Sequence, residues 1–245
     1  PNLDYDTILL DEAQDTNPVT QALVDRQWGR KVYVGDEHQA IYGFRGARNA
    51  MALIEADEDH LLTGSFRFGR AIAEVANAIL AAKGETELRL RGLGGASRLG
   101  ELKAGTPHTF ISRGNSALFG RAVQALEKNE TFAFVGPLYN YRLDLIEQTY
   151  AMSVGQKVSE PFLKAFDTFE ALEEYAEAME DREWMGRCKL VAKYSHRIPG
   201  LVAKIQARAG TYPGPGQFQV VLTSAHRAKG LEFDHVIMAD DFMDF

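Results

Sequence analysis

The sequence predicts an α/β protein built on parallel sheets, and three features carry that prediction. Two apolar or β-branched runs stop at acids: Thr7-Ile8-Leu9-Leu10 before Asp11-Glu12, and Lys31 to Val34 before Gly35-Asp36. Such runs read as buried parallel strands whose C-terminal ends carry chemistry, which is where ligands sit in open α/β sheets. Strand and helix patterns then alternate from Thr109 to Val135, the signature of a second parallel-sheet unit. Finally, residues 141–209 are almost wholly helical in pattern, an insertion between strands of that second sheet.

Taken in order, Asn17–Trp28 is a helix with Asn17 as N-cap and Pro18 at its first position. Asn49–Ala56 reads as a short helix and His60–Thr63 as a strand, with a domain boundary near residue 60. Gly69–Ala82 is amphipathic, with Ile72, Val75, Ile79 and Leu80 on one face. The glycine- and arginine-rich Lys83–Gly105 lacks periodicity and is expected to be a mobile loop. Strand Thr109–Ile111, helix Ser116–Glu127 and strand Phe132–Val135 follow. Helices are expected over 143–152, 161–166, 169–179, 184–194 and 198–207, then a proline-glycine return loop at 212–216. The last strands are Val220–Thr223 and His235–Met238. The expected domains are 1–60, then 61–140 with 210–245, with 141–209 inserted as helices.

Composition is that of an ordinary soluble globular protein, 45% hydrophobic and 25% charged. No apolar run approaches the ~20 residues that span a bilayer, and no signal peptide opens the chain. The single cysteine, Cys188, excludes an internal disulfide and fits a reducing compartment, hence a cytoplasmic setting. With net charge −7 the chain as a whole repels DNA, so any DNA contact must come from a local groove with stacking side chains. A chain that starts at Pro1, almost directly in a strand, is expected to be a fragment.

Four passages resemble one family. DEAQD at 11–15 is similar to the Walker B box of superfamily 1 helicases, and VGDEHQAIYGFRGA at 34–47 to their motif III. SFRF at 65–68 resembles motif IV, and VVLTSAHRAKGLEFDHVIMADDF at 220–242 resembles motif V. Together they resemble the UvrD/Rep branch. SFRFG and the segment 175–205 look like its F-box DNA helicase group, although no F-box is present. The resemblance implies RecA-like sheets of the P-loop NTPase type: a partial first domain, then a second with a reduced accessory domain at 141–209.

It also implies roles. Asp11 would help hold Mg²⁺ through water, Glu12 would orient or deprotonate the water attacking the γ-phosphate of ATP, and Gln39 would sense that phosphate. Tyr42, Phe44 and Arg45 would stack on unpaired bases and touch phosphate. Phe66 would stack on adenine and Arg67 would be an arginine finger. Gly230 would allow a close approach or unusual φ, and Glu232 would accept from the ribose. Thr223, His226 and Lys229 would face DNA phosphate and the domain interface. Each residue also has a plain structural reading: acidic turns, loop polar groups, core aromatics, a salt bridge at a helix start. His226 lacks the companions a metal site needs.

The implied parent is an ATP-driven 3′→5′ translocase on single-stranded DNA and ss/ds junctions, acting in repair or recombination with possible repair-protein partners and no membrane. No G-x-x-x-x-G-K-[ST] occurs in the sequence, so the chain by itself is expected neither to bind ATP tightly nor to hydrolyse it. Two alternatives stay open: a non-catalytic DNA- or partner-binding module, and part of a helicase-nuclease, for which no nuclease site is visible.

Overall fold

The computed structural model describes residues 4–40, 54–214 and 217–242. The chain divides into two compact units, Pro1–Arg98 and Leu99–Phe245. The division falls downstream of the boundary expected near residue 60.

In the first unit, β1 (Thr7–Leu10) pairs in parallel with β2 (Arg30–Tyr33), Leu10 opposite Tyr33. Between them runs α1 (Pro18–Asp25), and the Asn17 side chain accepts from the N–H groups of Val19 and Thr20, as its N-cap position requires. The strands are parallel as expected but not buried: Leu9 is 72% exposed. A parallel strand is buried only where layers cover both its faces, and this sheet has two strands.

No strand forms at 60–63; β3 is the dipeptide Gly64–Ser65, paired in parallel with β4 (Arg91–Gly92). The expected helix at 49–56 lies outside the described residues except for 54–56, which are not helical. Helix α2 (Arg70–Ala82) follows β3. The segment after α2 is pinned, against expectation. The Asn77 amide donates to the Leu90 carbonyl at 2.9 Å and accepts from the Leu90 N–H at 2.8 Å. Its glycines serve close approach: a Cβ on Gly92 would strike the Gly69 backbone, and one on Gly94 would sit 2.6 Å from the Phe66 carbonyl oxygen. The glycine-rich stretch therefore lies directly against the Phe66–Gly69 turn.

The second unit is a five-stranded, wholly parallel sheet in the order β7-β6-β8-β5-β9. Its strands are β5 (His108–Ser112), β6 (Phe132–Val135), β7 (Gly210–Tyr212), β8 (Val220–Ser224) and β9 (Val236–Met238). The edge strand β7 starts ahead of the expected return loop. Every residue of β8 is buried, as its central place dictates. Helix α3 (Asn115–Glu127) links β5 to β6. Between β6 and β7 come α4 (Leu143–Ser153), α5 (Phe169–Ala178), α6 (Arg182–Tyr194) and α7 (Ile198–Arg208). The expected helix at 161–166 is only a 3-10 turn, Leu163–Ala165.

These inserted helices are not an appendage. One apolar core joins Phe119 of α3, Phe132 and Phe134 of β6, Ile146 of α4, Val191 of α6, Ile205 of α7 and Leu222 of β8. A satellite core of Leu145, Leu163, Leu172 and Trp184 holds α5, with Phe162 stacked 4.8 Å from Trp184. Tyr141 ties the insertion to the sheet. It is 1% exposed, its ring lies 4.7 Å from Phe134, and its hydroxyl donates to the Val135 carbonyl at 2.8 Å. Tyr141→Phe should lower the unfolding free energy of this unit by about 1–3 kcal/mol, because a buried carbonyl loses its donor. Denaturant titration of the chain measures this.

Candidate active site

In the first unit the chemistry-bearing residues gather at the level C-terminal ends of β1 and β2. Asp11 is exposed, and its Oδ1 accepts the Glu12 N–H at 2.9 Å. Glu12 has φ 52, left-handed for a residue with a side chain. Such a conformation costs on the order of 1–2 kcal/mol and persists only where neighbours enforce it. Two contacts do so: the Ala13 N–H donates to the Val34 carbonyl at 3.0 Å, and the Glu12 carboxylate accepts from Gln14 Nε2 at 2.6 Å.

Gln14, 1% exposed, is the keystone, and its role was missed in the sequence. Its Oε1 accepts the Asp36 N–H at 3.1 Å, so one amide bridges the ends of both strands. Asp36 in turn accepts from the His38 N–H through Oδ1 at 2.9 Å and from Gln39 Nε2 through Oδ2 at 2.7 Å. Glu12, Gln14, Asp36 and Gln39 are thus one hydrogen-bonded series. The only sequence hint of Gln14 was its place inside DEAQD. Asp11 and Glu12, adjacent in sequence and both exposed, carry the hard oxygen donors that Mg²⁺ takes. Tyr42, Phe44 and Arg45 lie outside the described residues.

His38 makes a second long-range link, 2.9 Å from its Nε2 to Glu85 Oε2 just past α2. Among the described residues, Glu37, His38 and Glu85 bring ligand atoms within 4.8 Å of one another. Glu85 is already engaged, though: its Oε1 accepts the Glu87 and Leu88 N–H groups at 2.7 and 3.0 Å. The Leu88 N–H first, then His38 and the Glu87 N–H, hold its carboxyl down at about 2. Phe66 and Arg67 are exposed on the turn between β3 and α2, Phe66 at 80%. The structure places both on a backbone that the 91–95 glycines support.

In the second unit, the C-terminal edge of the sheet carries the other candidates. Thr223 is fully buried and its hydroxyl donates to the Ser224 carbonyl at 3.2 Å. Thr223, expected to face DNA phosphate and the domain interface, is thus part of the all-buried β8, where its side chain is covered. Helix α8 (Ala225–Ala228) starts at once, with His226 exposed, Lys229 half-buried and Glu232 exposed beyond it. Gly230 has φ 80, as expected for a glycine ending a short helix. Arg227 lies 5.2 Å over the Tyr141 ring. Two carboxylates from remote elements cap α3 at the same edge. Asp241 accepts the Arg113 and Gly114 N–H groups at 3.0 and 2.9 Å, and Glu183 accepts the Asn115 N–H at 3.2 Å.

Because its folded-state midpoint lies below the ordinary 4.5, Glu85 adds stability above that pH and loses it as pH falls toward 2. Glu85→Gln should therefore flatten the acid limb of the stability profile between those values, and a carboxyl-resolved NMR titration should place the Glu85 midpoint near its low end.

Residues 2–60 match the family described as UvrD/REP helicase N-terminal domain. The chain is 33% identical to F-box DNA helicase 1 of Gallus gallus, over 98% of this chain and 25% of that protein. It is 34% identical to F-box DNA helicase protein 1 of Schizosaccharomyces pombe, over 97% of this chain and 29% of that one. ATP-dependent DNA helicase UvrD2 of Mycobacterium bovis is 24% identical over 96% of this chain and 41% of its own length. The chain therefore spans about a quarter of the F-box DNA helicases to which it is similar along nearly its whole extent, and through residues 2–60 it belongs to the UvrD/REP helicase family.

Proposed function

We propose that this chain is the Walker B-to-motif V segment of an ATP-driven motor that translocates 3′→5′ on single-stranded DNA and opens duplex at ss/ds junctions in repair or recombination. The observation that carries the reading is the hydrogen-bonded series from Glu12 through Gln14 and Asp36 to Gln39. It ties the residue placed to handle a nucleophile to the residue placed to sense a phosphate, across two strands.

ATP with Mg²⁺ supplies the phosphoryl group when bound. Asp11 would help hold the cation, through water. Glu12 orients the attacking water and takes its proton, and the Gln14 amide keeps that carboxylate aimed. Gln39 offers an amide that can donate to the γ-phosphate in exchange for its bond to Asp36. Arg67 neutralises charge developing on the transferred group, Phe66 stacks on the adenine, and Glu232 accepts from the ribose across the turn at Gly230. Tyr42, Phe44 and Arg45 hold unpaired bases. His226 and Lys229 contact DNA phosphate, and Thr223 supports the strand end beneath them.

We assign 1–60 to the first RecA-like domain, 61–140 with 210–245 to the second, and 141–209 to a reduced accessory region. A nuclear or nucleoid setting follows from the substrate. No helix among the described residues is long and apolar enough to cross a membrane. A non-catalytic DNA-binding module is the second reading, favoured by the lack of a G-x-x-x-x-G-K-[ST] in this sequence.

The test is ATPase activity stimulated by single-stranded DNA. The 245-residue chain should show no turnover. Joined in one polypeptide to a segment carrying a phosphate-binding loop, it should turn over, and Glu12→Gln should then cost about 10²–10⁴-fold in kcat. Robust hydrolysis by the chain alone, or an indifferent Glu12→Gln, would overturn the motor reading.

A further inference from the structure

His38 stands next to Gln39 in the turn that follows β2, and its side chain leaves that turn altogether. The ring Nε2 meets Glu85 Oε2 at 2.9 Å, across 47 positions of sequence. Both side chains are largely covered, 19% and 15% exposed. With its carboxyl held down at about 2, Glu85 is ionised near neutral pH. A carboxylate only accepts, so the imidazole is the donor and carries a proton on Nε2.

Glu85 is itself firmly anchored. Gly84, at φ 87, turns the chain off the end of α2, and the Glu85 N–H donates back to the Leu80 carbonyl at 3.0 Å. One carboxylate oxygen takes the Glu87 and Leu88 N–H groups, and the other takes His38. From there the chain returns along α2. Leu90 is pinned to Asn77, the Leu93 N–H donates to the Ser65 carbonyl at 2.7 Å, and the Gly94 N–H donates to the Phe68 carbonyl at 3.0 Å. The 13 residues of α2 make this braced element a rod about 20 Å long. It carries Glu85 at one end and the turn of Phe66 and Arg67 at the other.

The imidazole end of the bond is held as well. Asp36 takes the His38 N–H and the Gln39 amide on its two oxygens, and gives its own N–H to Gln14. Those restraints are local to the strand ends. The bond from His38 is different in kind, because it crosses the boundary assigned near residue 60, and a hydrogen bond to an ionised, covered carboxylate is of the strong class. We propose that His38 and Glu85 are positioning residues: their bond fixes the turn bearing Gln39 to the rod that carries Arg67, so that a movement of either is passed to the other. The inference rests on the reading of the chain as a segment of an ATP-driven motor.

ATP turnover by the chain joined in one polypeptide to a segment carrying a phosphate-binding loop tests it. His38→Phe keeps a ring in place and removes the donor. It should lower kcat about tenfold or more, as lost alignment does, and leave KM for ATP within about twofold, since the bond aligns groups rather than holding the nucleotide. Glu85→Ala should do the same, and the two together should be no worse than either alone, because both remove one bond. His38→Gln, whose amide offers an N–H, should recover kcat to within about threefold of the unsubstituted protein. Asn17→Ala separates positioning from general loosening: it removes the cap of α1 and should leave kcat within about twofold. Circular dichroism confirms that each variant folds. Unaltered kcat in a folded His38→Phe or Glu85→Ala variant, additive losses in the double variant, or an equal loss in Asn17→Ala would each overturn the proposal. In those cases turnover by the unsubstituted fusion leaves the motor reading standing. If the unsubstituted fusion does not turn over, both fall.

Discussion

A single buried amide organises the first unit. Gln14 gives its N–H to the Glu12 carboxylate and takes the Asp36 N–H on its oxygen, and it can do both only because β1 and β2 end level in parallel register. A buried amide that loses either partner leaves an unsatisfied polar atom, so the two strand ends are held to one another and Glu12 is held in a left-handed backbone it would otherwise avoid. The Glu12 carboxylate is thus held in one orientation by the Gln14 amide, the pre-organisation that the proposed role in aligning a water would need. Asp36 extends the arrangement outward, since its two oxygens are divided between the His38 backbone and the Gln39 side chain. A group that drew Gln39 away would free one oxygen of Asp36 while the other stays bound to the His38 N–H, which gives the proposed phosphate-sensing role a local structural link.

The second unit solves a different problem, that of holding a long helical insertion without loosening the sheet. It does so by making the insertion part of the core. Helices α4, α6 and α7 bury their apolar faces with α3, β6 and β8. At the start of α3, Asp241 takes the N–H of Gly114, just before the helix, and Glu183 of the insertion takes that of Asn115, its first residue. Motif V is thereby placed on a rigid support: β8 is covered along its whole length, and Tyr141, at the mouth of the insertion, lies under Arg227.

Charge is unevenly distributed along the chain. The total is −7, yet no Asp or Glu occurs between Glu183 and Glu232, so the local field can differ in sign from the total. Membership of the UvrD/Rep helicases gives the strand-end acids and the motif V turn a shared context, while each of these features also stands on its own geometry.

The amino-acid sequence by itself determined the local order. Apolar runs ending in acids located β1 and β2, the Asn-Pro pair located the start of α1, apolar periodicity located α2 and α4 to α7, and a glycine marked the turn at position 230. These are short-range signals, set by periods of two or 3.6 residues and by capping chemistry. Only the tertiary structure decided which groups meet across long sequence separations. Gln14 found Asp36, His38 found Glu85, Asp241 found the start of α3, and the glycines at 92 and 94 received the turn bearing Phe66 and Arg67. It also decided burial, covering Thr223 and exposing Leu9, where the sequence pattern pointed the other way. The reason is physical: a residue's type sets which bonds it can make, but which partner lies within about 3 Å depends on strand register and layer packing, and no local window of sequence contains those.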